Sequence, residues 1–361
     1  MDVDSTNPLK HAALLLADPS PCLCYRVLDE LFEARQDEAM RTELLELAEL
    51  RQDDPLLAGL LRLQEDDGSW RTGVLGDPLG GGRLQATGLA LARLAFLGLE
   101  RSHPAVQRAA QFLFDQQQPD GSWPLVRDGV GDDVGSEGYA MMPLQTAHPL
   151  RGLAACGYAS DPRCERAYDW LLAQRLPDGA WPTGVAKSGV YGYVAGYRRL
   201  AHSRWGCRSN TTGALICLSL HPERRRSPEA QRGLDLLLGR ETRERQALGF
   251  ETARLVGAEP ARGFITFYAR FDLALILHLC WQVGARVEDP RVDDIVKFVL
   301  TTQNAYGLWE YQPRPQASRW VTFDLLRSLQ GLEANSRSNT AWLSLEPRTP
   351  FQPYPKKDKR Y

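Results

Sequence analysis

The sequence has no excess of charge of either sign, and this balance excludes one class of function. It contains 43 Lys and Arg against 45 Asp and Glu, so the formal net charge is -2 at pH 7. Proteins that bind nucleic acid through its phosphates carry a basic face or stripe. We therefore expect no nucleic-acid partner.

Long apolar runs and an even set of cysteines are also missing. No stretch approaches the ~20 apolar residues that cross a bilayer, and the start Met-Asp-Val-Asp-Ser lacks the basic and apolar regions of a secretory signal. The seven cysteines fit no disulfide framework, and Cys22 and Cys24 are too close for ordinary zinc spacing. We expect reduced thiols in a cytoplasmic protein with no cofactor and no metal. Peripheral membrane contact and the oligomeric state stay open.

No run alternates apolar and polar residues for long enough to predict a sheet. What the chain has instead is a repeat: an apolar helix end, a Gln, a turn with Gly, and a Trp. The copies end at Trp70, Trp123 and Trp181, with a looser one at Trp309. The first three Trp are separated by about 55 residues and the last step is about twice as long, which predicts a degenerate copy near 234–240.

Each part of this repeat has a local structural role. Gly can adopt the positive φ that ends a helix, and the Gln can bind the backbone that this end exposes. The Trp covers the junction with a large apolar face and keeps one N–H donor. The repeat therefore predicts buried Trp side chains that join neighbouring units and lie away from any ligand.

Two kinds of helix alternate between these loops. One kind is apolar nearly all round, which is typical of a helix buried on all sides; its members are 22–34, 84–99, 142–156, 210–220, 267–283 and 320–332. The other kind is amphipathic and starts with Pro in its first turn; its members are 55–64, 104–116, 162–174, 228–240 and 290–303. Inner helices that start near 22, 84, 142, 208, 267 and 319 would close six hairpins into a ring. An open solenoid is the alternative.

The Gln…Asp-Gly-Ser-Trp copies resemble the QW motifs of squalene-hopene cyclases and oxidosqualene cyclases. The hairpin pattern is also similar to that of the protein prenyltransferase β subunit. The resemblance covers roughly residues 20–335 and implies an all-α fold, an α/α toroid of about six helical hairpins. It also implies a small apolar isoprenoid ligand in a central cavity. We expect an extension over 1–20, the toroid over 21–335 and an extended tail over 336–361.

The catalytic signatures of these families are missing from the sequence. Neither Asp-x-Asp-Asp, nor Asp-Asp-x-x-Asp or its Glu form, nor the prenyltransferase Asp-x-Cys occurs. The resemblance therefore predicts a terpenoid cyclase-like enzyme with non-standard acid-initiated chemistry. The alternative is a non-catalytic toroid that binds a lipid or a peptide.

Asp272 and Asp324 are the candidate acids, because each follows a Phe at a matching place on neighbouring inner helices. Burial in an apolar bowl would raise the pKa of such a carboxyl, as a general acid needs. Alternatively, each caps a helix or pairs with Arg270 or Arg319. His148 is either a catalytic base or a core histidine bonded to backbone.

The remaining candidates are substrate-binding residues. We expect the mouth of the ring at the first turns of the inner helices and at the aromatic loop 183–208, whose rings suit an apolar or cationic ligand or pack as a lid. The candidates are Tyr25, Gln145, Cys207, Asn210, Tyr268 and Trp320 on the first turns, and Tyr191, Tyr193, Tyr197 and Trp205 on the loop. Cys207 could join His148 and an Asp in a metal site, or be a buried thiol.

Overall fold

The computed structural model describes residues 8–32, 37–76, 82–125, 139–191, 200, 203–239, 247–261, 267–338 and 342. Tyr193, Tyr197 and most of the expected tail lie outside these residues. The described part of the chain is dominated by α-helices. In chain order they are α1 (Pro8–Leu16), α2 (Pro21–Arg26), α3 (Glu38–Leu50), α4 (Pro55–Leu61), α5 (Gly82–Phe96), α6 (Pro104–Asp115), α7 (Pro143–Leu153), α8 (Pro162–Ala173), α9 (Arg208–Leu220), α10 (Pro228–Leu238), α11 (Phe250–Leu255), α12 (Leu273–Val283), α13 (Pro290–Leu300) and α14 (Ser318–Arg337).

The predicted all-α class is confirmed. Over the described residues, two short strands, β1 (Tyr139–Met141) and β2 (Val185–Ala186), pair antiparallel. Five of the inner helices (α2, α5, α7, α9 and α14) begin within two residues of their predicted starts. The start expected near 267 is wrong: α12 begins at Leu273, because the Asp272 side chain accepts the Ala274 N–H and caps the helix there.

The inner helices form a closed ring. Helix α5 packs on α7, α7 on α9, α9 on α12, and α12 on α14. The circle is completed at α2: Arg327 of α14 donates to Glu30 at 3.0 Å, and Arg26 Nη1 donates to the Phe96 carbonyl of α5 at 2.6 Å. Helix α1 contacts both α14 and the π turn Val27–Leu31 that continues α2. The ring is therefore an α/α toroid and not an open solenoid.

The close approach of α5 and α7 depends on two glycines. A Cβ on Gly152 would lie 2.3 Å from the Gly88 carbonyl oxygen, and a Cβ on Gly88 would lie 2.8 Å from the His148 carbonyl oxygen. Real Cβ atoms do not tolerate such distances, so only glycine lets these backbones touch.

The outer helices begin with Pro in the first turn, as predicted, and the structure shows a polar side chain just before it. That side chain accepts a backbone N–H of the first turn, which satisfies one donor that the helix itself cannot. The capping residues are Asp54, His103, Asp161, Ser227 and Asp289.

The repeated Trp loops share one hydrogen-bond pattern. Each Trp is fully buried, and its Nε1–H donates to the carbonyl ten residues earlier, at the end of the outer helix. Its backbone N–H is bonded to a Thr hydroxyl on the next inner helix. The Trp–Thr pairs are Trp70–Thr87, Trp123–Thr146, Trp181–Thr211 and Trp309–Thr322. The loops thus connect the outer ring to the inner ring.

The Gln of the repeat closes the Gly turn. Gln64, Gln117 and Gln303 each donate from Nε2 to the carbonyl of the turn glycine. Gln64 and Gln117 also donate to the first turn of the next outer helix. Gln174 departs from the pattern and donates to the Trp170 carbonyl.

The degenerate copy expected near 234–240 falls at the end of α10, and residues 240–246 lie outside the described chain. After α10, the described residues 247–261 contain the short helix α11, whose six residues are all buried. Helix α11 contacts α5, α12 and α14. An element that touches inner helices from separate parts of a closed ring lies inside that ring, so we call α11 the plug helix.

Candidate functional site

A cavity of about 300 Å³ lies inside the ring. Its wall is formed by later turns of the inner helices, and the plug helix contributes Glu251, Thr252 and Leu255. The wall is highly charged for an interior surface. It contains Arg26, Arg151, Arg225 and Arg327, opposed by Glu30, Glu251 and Asp324.

One charge network joins the two ends of the ring. Arg26 Nε donates to Glu30 at 2.5 Å, and Arg327 donates to Glu30 at 3.0 Å and to Asp324 at 2.6 and 2.9 Å. Burial by itself raises the pKa of Glu30, but Arg26 and Arg327 hold that pKa below its ordinary value. Both carboxylates therefore have guanidinium partners.

A second network holds the plug helix. Arg151 Nη1 donates to Glu251 at 2.5 Å and to the Tyr268 hydroxyl at 2.6 Å, while Arg254 pairs with the other Glu251 oxygen. Burial raises the pKa of Glu251, but the Arg254 and Arg151 guanidiniums lower it to about 2. Glu251 is therefore ionised at neutral pH although its side chain is buried.

The plug helix is also anchored by two aspartates. The Thr252 hydroxyl donates to Asp324 at 2.9 Å. Asp272 accepts the backbone N–H of Gly249 at 2.7 Å and of Glu251 at 2.6 Å, in addition to capping α12. Burial raises the pKa of Asp272 to about 6, and the two backbone donors oppose that rise.

One cavity residue, His278, has an unsatisfied polar atom. Its Nδ1 is buried, and no hydrogen-bond partner lies within reach among the described residues. The ring packs edge-to-face on Trp281, with 5.5 Å between ring centroids. Burial, together with the nearby Arg327, lowers the pKa of His278 to about 4, so the imidazole is neutral at pH 7.

The two candidate acids lie in different environments. Asp324 lines the cavity, and its partner is Arg327 rather than Arg319, which pairs with Asp18 instead. Asp272 does not line this cavity and is bonded to the backbone around the plug helix. The helix-cap alternative thus describes the contacts of Asp272, and the arginine-pair alternative describes those of Asp324.

His148 is buried between aromatic rings. Its ring packs edge-to-face on Phe267 at 4.6 Å and stacks on Tyr268 at 5.7 Å. Burial, together with the nearby Arg151 and Arg254, lowers its pKa to about 3. Tyr268 is connected to the cavity through its bond to Arg151.

Three candidates on the first turns hold neighbouring loops. Gln145 donates to the Trp123 carbonyl at 2.7 Å, Asn210 accepts the Leu144 N–H at 3.0 Å, and the Cys207 N–H donates to the Trp181 carbonyl at 2.8 Å. Within the described chain, no group of three His, Cys, Asp or Glu is arranged to hold a metal ion, Cys207 included.

The aromatic candidates lie at separate places. Trp320 packs on Phe96 with 5.5 Å between centroids, whereas the Tyr25 ring lies under the Arg51 guanidinium at 3.7 Å. On the loop, the exposed Tyr191 stacks on Trp205 at 6.2 Å. Tyr193 and Tyr197 fall outside the described residues.

The expected mouth at the first turns differs from the cavity that the structure describes. Thr87, Thr211 and Thr322 on those turns are bonded to the Trp loops instead. The cavity residues that sequence reasoning missed include Glu30, Arg151, Glu251, His278 and Arg327. A usable signal existed, because most of these are ionisable residues in the interior of helices that are otherwise apolar.

The fold and the cavity together define the class of protein: an α/α toroid with a charged cavity inside its ring. Residues 40–193 match the family described as squalene-hopene cyclase C-terminal domain. The squalene–hopene cyclase of Zymomonas mobilis subsp. mobilis is 31% identical over 149 residues, which are 40% of this chain and 22% of that protein. The lanosterol synthase of Candida albicans is 31% identical over 97 residues, 27% of this chain and 13% of that protein. The chain thus spans less than a quarter of the length of these curated relatives.

These matches confirm the similarity to the terpenoid cyclase superfamily that the Trp repeats predicted. Among solved structures, a protein from Actinoplanes has a TM-score of 0.45 at 16% identity, covering 91% of this chain and 100% of that chain. The type II terpene cyclase MstE from Scytonema has a TM-score of 0.32 at 14% identity, covering 78% of this chain and 97% of that chain. The matched residues 40–193 end before the plug helix and both candidate acids.

Among the described helices, none is long and apolar enough to cross a membrane.

Proposed function

We propose that this chain is a terpenoid cyclase-like enzyme that takes an isoprenoid substrate into the cavity of the ring. The family match over residues 40–193 and the cavity inside the ring support this proposal. The observation that carries it is the position of Asp324. This carboxyl group belongs to an inner helix, lines the cavity and accepts hydrogen bonds from Thr252 and Arg327.

The proposed step is protonation of a substrate alkene by the Asp324 carboxyl. The proton passes to one alkene carbon, the π pair forms the new C–H bond, and the other carbon becomes a carbocation. The Asp324 carboxylate that remains is stabilised by the Arg327 guanidinium and the Thr252 hydroxyl. The second candidate acid, Asp272, does not line the cavity; it accepts backbone N–H groups at the start of the plug helix, and burial raises its pKa to about 6.

The experiment is a product search with purified protein. Squalene-like hydrocarbons and prenyl substrates are incubated with it, and mass spectrometry looks for cyclised isomers of unchanged mass. Asp324→Asn should keep the fold and lower turnover by about 10²–10⁴, the usual size of a general-acid contribution. Asp272→Asn is measured in parallel to test the second candidate acid. Asp293 lies on α13 and pairs with Lys297 at the surface, so Asp293→Asn is the matched control. Turnover of Asp324→Asn at the wild-type rate would refute the assignment.

A specific observation favours a second candidate, a non-catalytic isoprenoid-binding protein. Each of the three carboxylates that line the cavity has a guanidinium partner, so none of them faces the cavity as an acid without a counter-charge. This candidate predicts that a bound isoprenoid is recovered unchanged after prolonged incubation, with Asp324→Asn binding it as tightly as the wild type.

A further inference from the structure

Helix α3 (Glu38–Leu50) lies against the outside of the ring and is poorly covered. It packs on α2 and on the π turn Val27–Leu31. All 13 residues of α3 are described, and none of them is buried. By contrast, α6 buries six of its residues and α10 buries eight. Helices in proteins are stabilised mainly by packing of an apolar face, so α3 lacks a cover that these other helices have.

The uncovered surface of α3 carries a row of like charges. Glu43, Glu46 and Glu49 are exposed and spaced three residues apart, which makes them neighbours on the helix surface. We call them the acidic row. No ion pair of these three residues is seen within the described part of the chain, whereas Glu333 on α14 pairs with Arg337. Neighbouring carboxylates repel one another, so the row needs a cationic partner.

Two exposed leucines flank the acidic row. Leu45 is 72% exposed and Leu50 is 53% exposed. Leu45 precedes Glu49 by four residues, and Leu50 follows Glu46 by four, so each leucine lies beside a glutamate on the helix surface. A partner that covers this face must therefore supply both positive charge and apolar side chains.

Residues 343–361, which follow the described chain, have this composition. We call them the tail. Phe351 and Tyr354 come first, and the basic cluster 356–360 follows, with four Lys or Arg among its five residues. The tail also contains four Pro. Pro-rich segments favour an extended helix with three residues per turn, in which Phe351 and Tyr354 would share one face.

The tail is long enough to reach α3. Trp342 Nε1 donates to Asp289 at the start of α13 at 3.1 Å, and Gln330 of α14 donates to the Leu31 carbonyl, in the π turn before α3, at 3.5 Å. The unit of α13 and α14 is thus beside the unit of α2 and α3. A Pro-rich segment of this length spans about 60 Å, whereas α3 is only about 20 Å long.

The charge on α3 also decides between two occupants. A second copy of this face would bring two acidic rows together, and like charges across an interface are unfavourable. The basic cluster of the tail has the opposite sign. Single ion pairs at the surface are weak, but a contact within one chain has a high effective concentration.

We propose that the tail lies along α3 of the same chain. The basic cluster pairs with the acidic row, and Phe351 and Tyr354 cover the exposed leucines. The C-terminal segment thereby supplies the cover that α3 lacks, and it links the last unit of the ring to the first.

Hydrogen–deuterium exchange of the full chain, measured by mass spectrometry, tests this contact because it reports how often α3 opens. The tail variant combines Lys356→Glu, Lys357→Glu, Lys359→Glu and Arg360→Glu. Exchange of the α3 amides should become at least about tenfold faster in this variant, while exchange in α6 should not change. Raising the salt concentration should also speed α3 exchange in the wild type, because salt screens exposed charges.

A charge swap distinguishes pairing from an indirect effect. Changing all three glutamates of the acidic row to Lys should lose the same protection, and combining this change with the tail variant should restore it. The matched control combines the tail variant with Asp293→Lys and Asp294→Lys on α13, and it should restore nothing.

Equal α3 exchange in the wild type and the tail variant would overturn the proposal, and so would a charge swap that fails to restore protection. Restoration by the α13 control would place the tail on α13 instead. Protection that increases with protein concentration, together with a dimer in analytical ultracentrifugation, would show that a second copy covers α3.

Discussion

The hydroxyl of Thr252 donates a hydrogen bond to Asp324 across 2.9 Å, and this bond joins the plug helix to the last inner helix of the ring. The two residues are distant in sequence, yet the contact connects the two charge networks around the cavity. The interior of the toroid is therefore a single bonded unit, and changes to the plug helix should affect stability as well as binding.

The Trp loops should be stability elements. Trp123→Ala removes a fully buried ring and its hydrogen bond to the Leu113 carbonyl, so we expect a loss of about 3–5 kcal/mol in the free energy of unfolding. Thr146→Val removes only the partner of the Trp123 N–H and should cost about 1–3 kcal/mol. Denaturant titration measures both. The half-buried Trp205→Ala should cost less than Trp123→Ala, and the opposite order would contradict this role.

Replacing Gly121 should destabilise the fold more than replacing Gly73, another glycine with positive φ. It has φ +91°, and an added Cβ would lie 2.4 Å from the Arg166 carbonyl oxygen. Gly73 has a similar φ of +88° but no atom within 4 Å of the same position. Each Gly→Ala change carries the backbone strain of about 1–2 kcal/mol, so the extra loss in Gly121→Ala measures the clash. Equal melting temperatures for the two variants would show that the neighbouring chain simply moves away.

Glu251 should be a critical buried charge. Glu251→Gln leaves the Arg151 and Arg254 guanidiniums buried without their carboxylate, and removing one partner of such a pair costs about 3–5 kcal/mol. Glu333 is exposed and pairs with Arg337, so Glu333→Gln should change the free energy of unfolding by no more than about 1 kcal/mol. Urea titration of both variants tests this contrast. A wild-type midpoint for Glu251→Gln would mean that the Glu251 ion pairs contribute nothing to the stability of the fold.

Stability should decrease with acidity below about pH 6.5. Burial lowers the pKa of His148 to about 3 and that of His278 to about 4, from 6.5, so between these values the unfolded chain binds protons that the folded chain does not. Asp272 acts in the opposite sense: its pKa rises from 3.8 to about 6, so its contribution is present at low pH and lost as the pH rises through 6.

Near pH 5 the two histidines bind about two protons more in the unfolded chain than in the folded chain, and Asp272 binds about one proton fewer. The unfolded chain therefore carries about one proton more than the folded chain. The expected slope is therefore about 1.4 kcal/mol of unfolding free energy lost per pH unit of acidification there. Urea titrations between pH 4.5 and 7.5 measure it, and His278→Gln should flatten the slope near pH 5. A free energy of unfolding that rises on acidification across this range would contradict the assignment.

Much of the framework was predictable because its causes are local. Pro in the first turn with a polar cap specifies where an outer helix begins, and Gly followed by Trp specifies where its loop returns to the ring. These signals lie within a few residues of one another, as in the copy that ends at Trp123. The start of α12 was misplaced because the apolar pattern continues upstream of Leu273, and the cap Asp272 was interpreted as an acid in the first turn.

The cavity was decided by the tertiary structure. Arg151 and Glu251 are 100 residues apart in sequence, and Glu30 and Arg327 are 297 apart, so no local pattern pairs them. Sequence periodicity could not assign α11 to the inner or the outer ring, because its position inside the toroid depends on contacts with α5, α12 and α14 at once. The sequence by itself determined the repeat and most of the helices. Folding closed the ring and brought distant charges together, because the cost of burying each charge is offset by its partner.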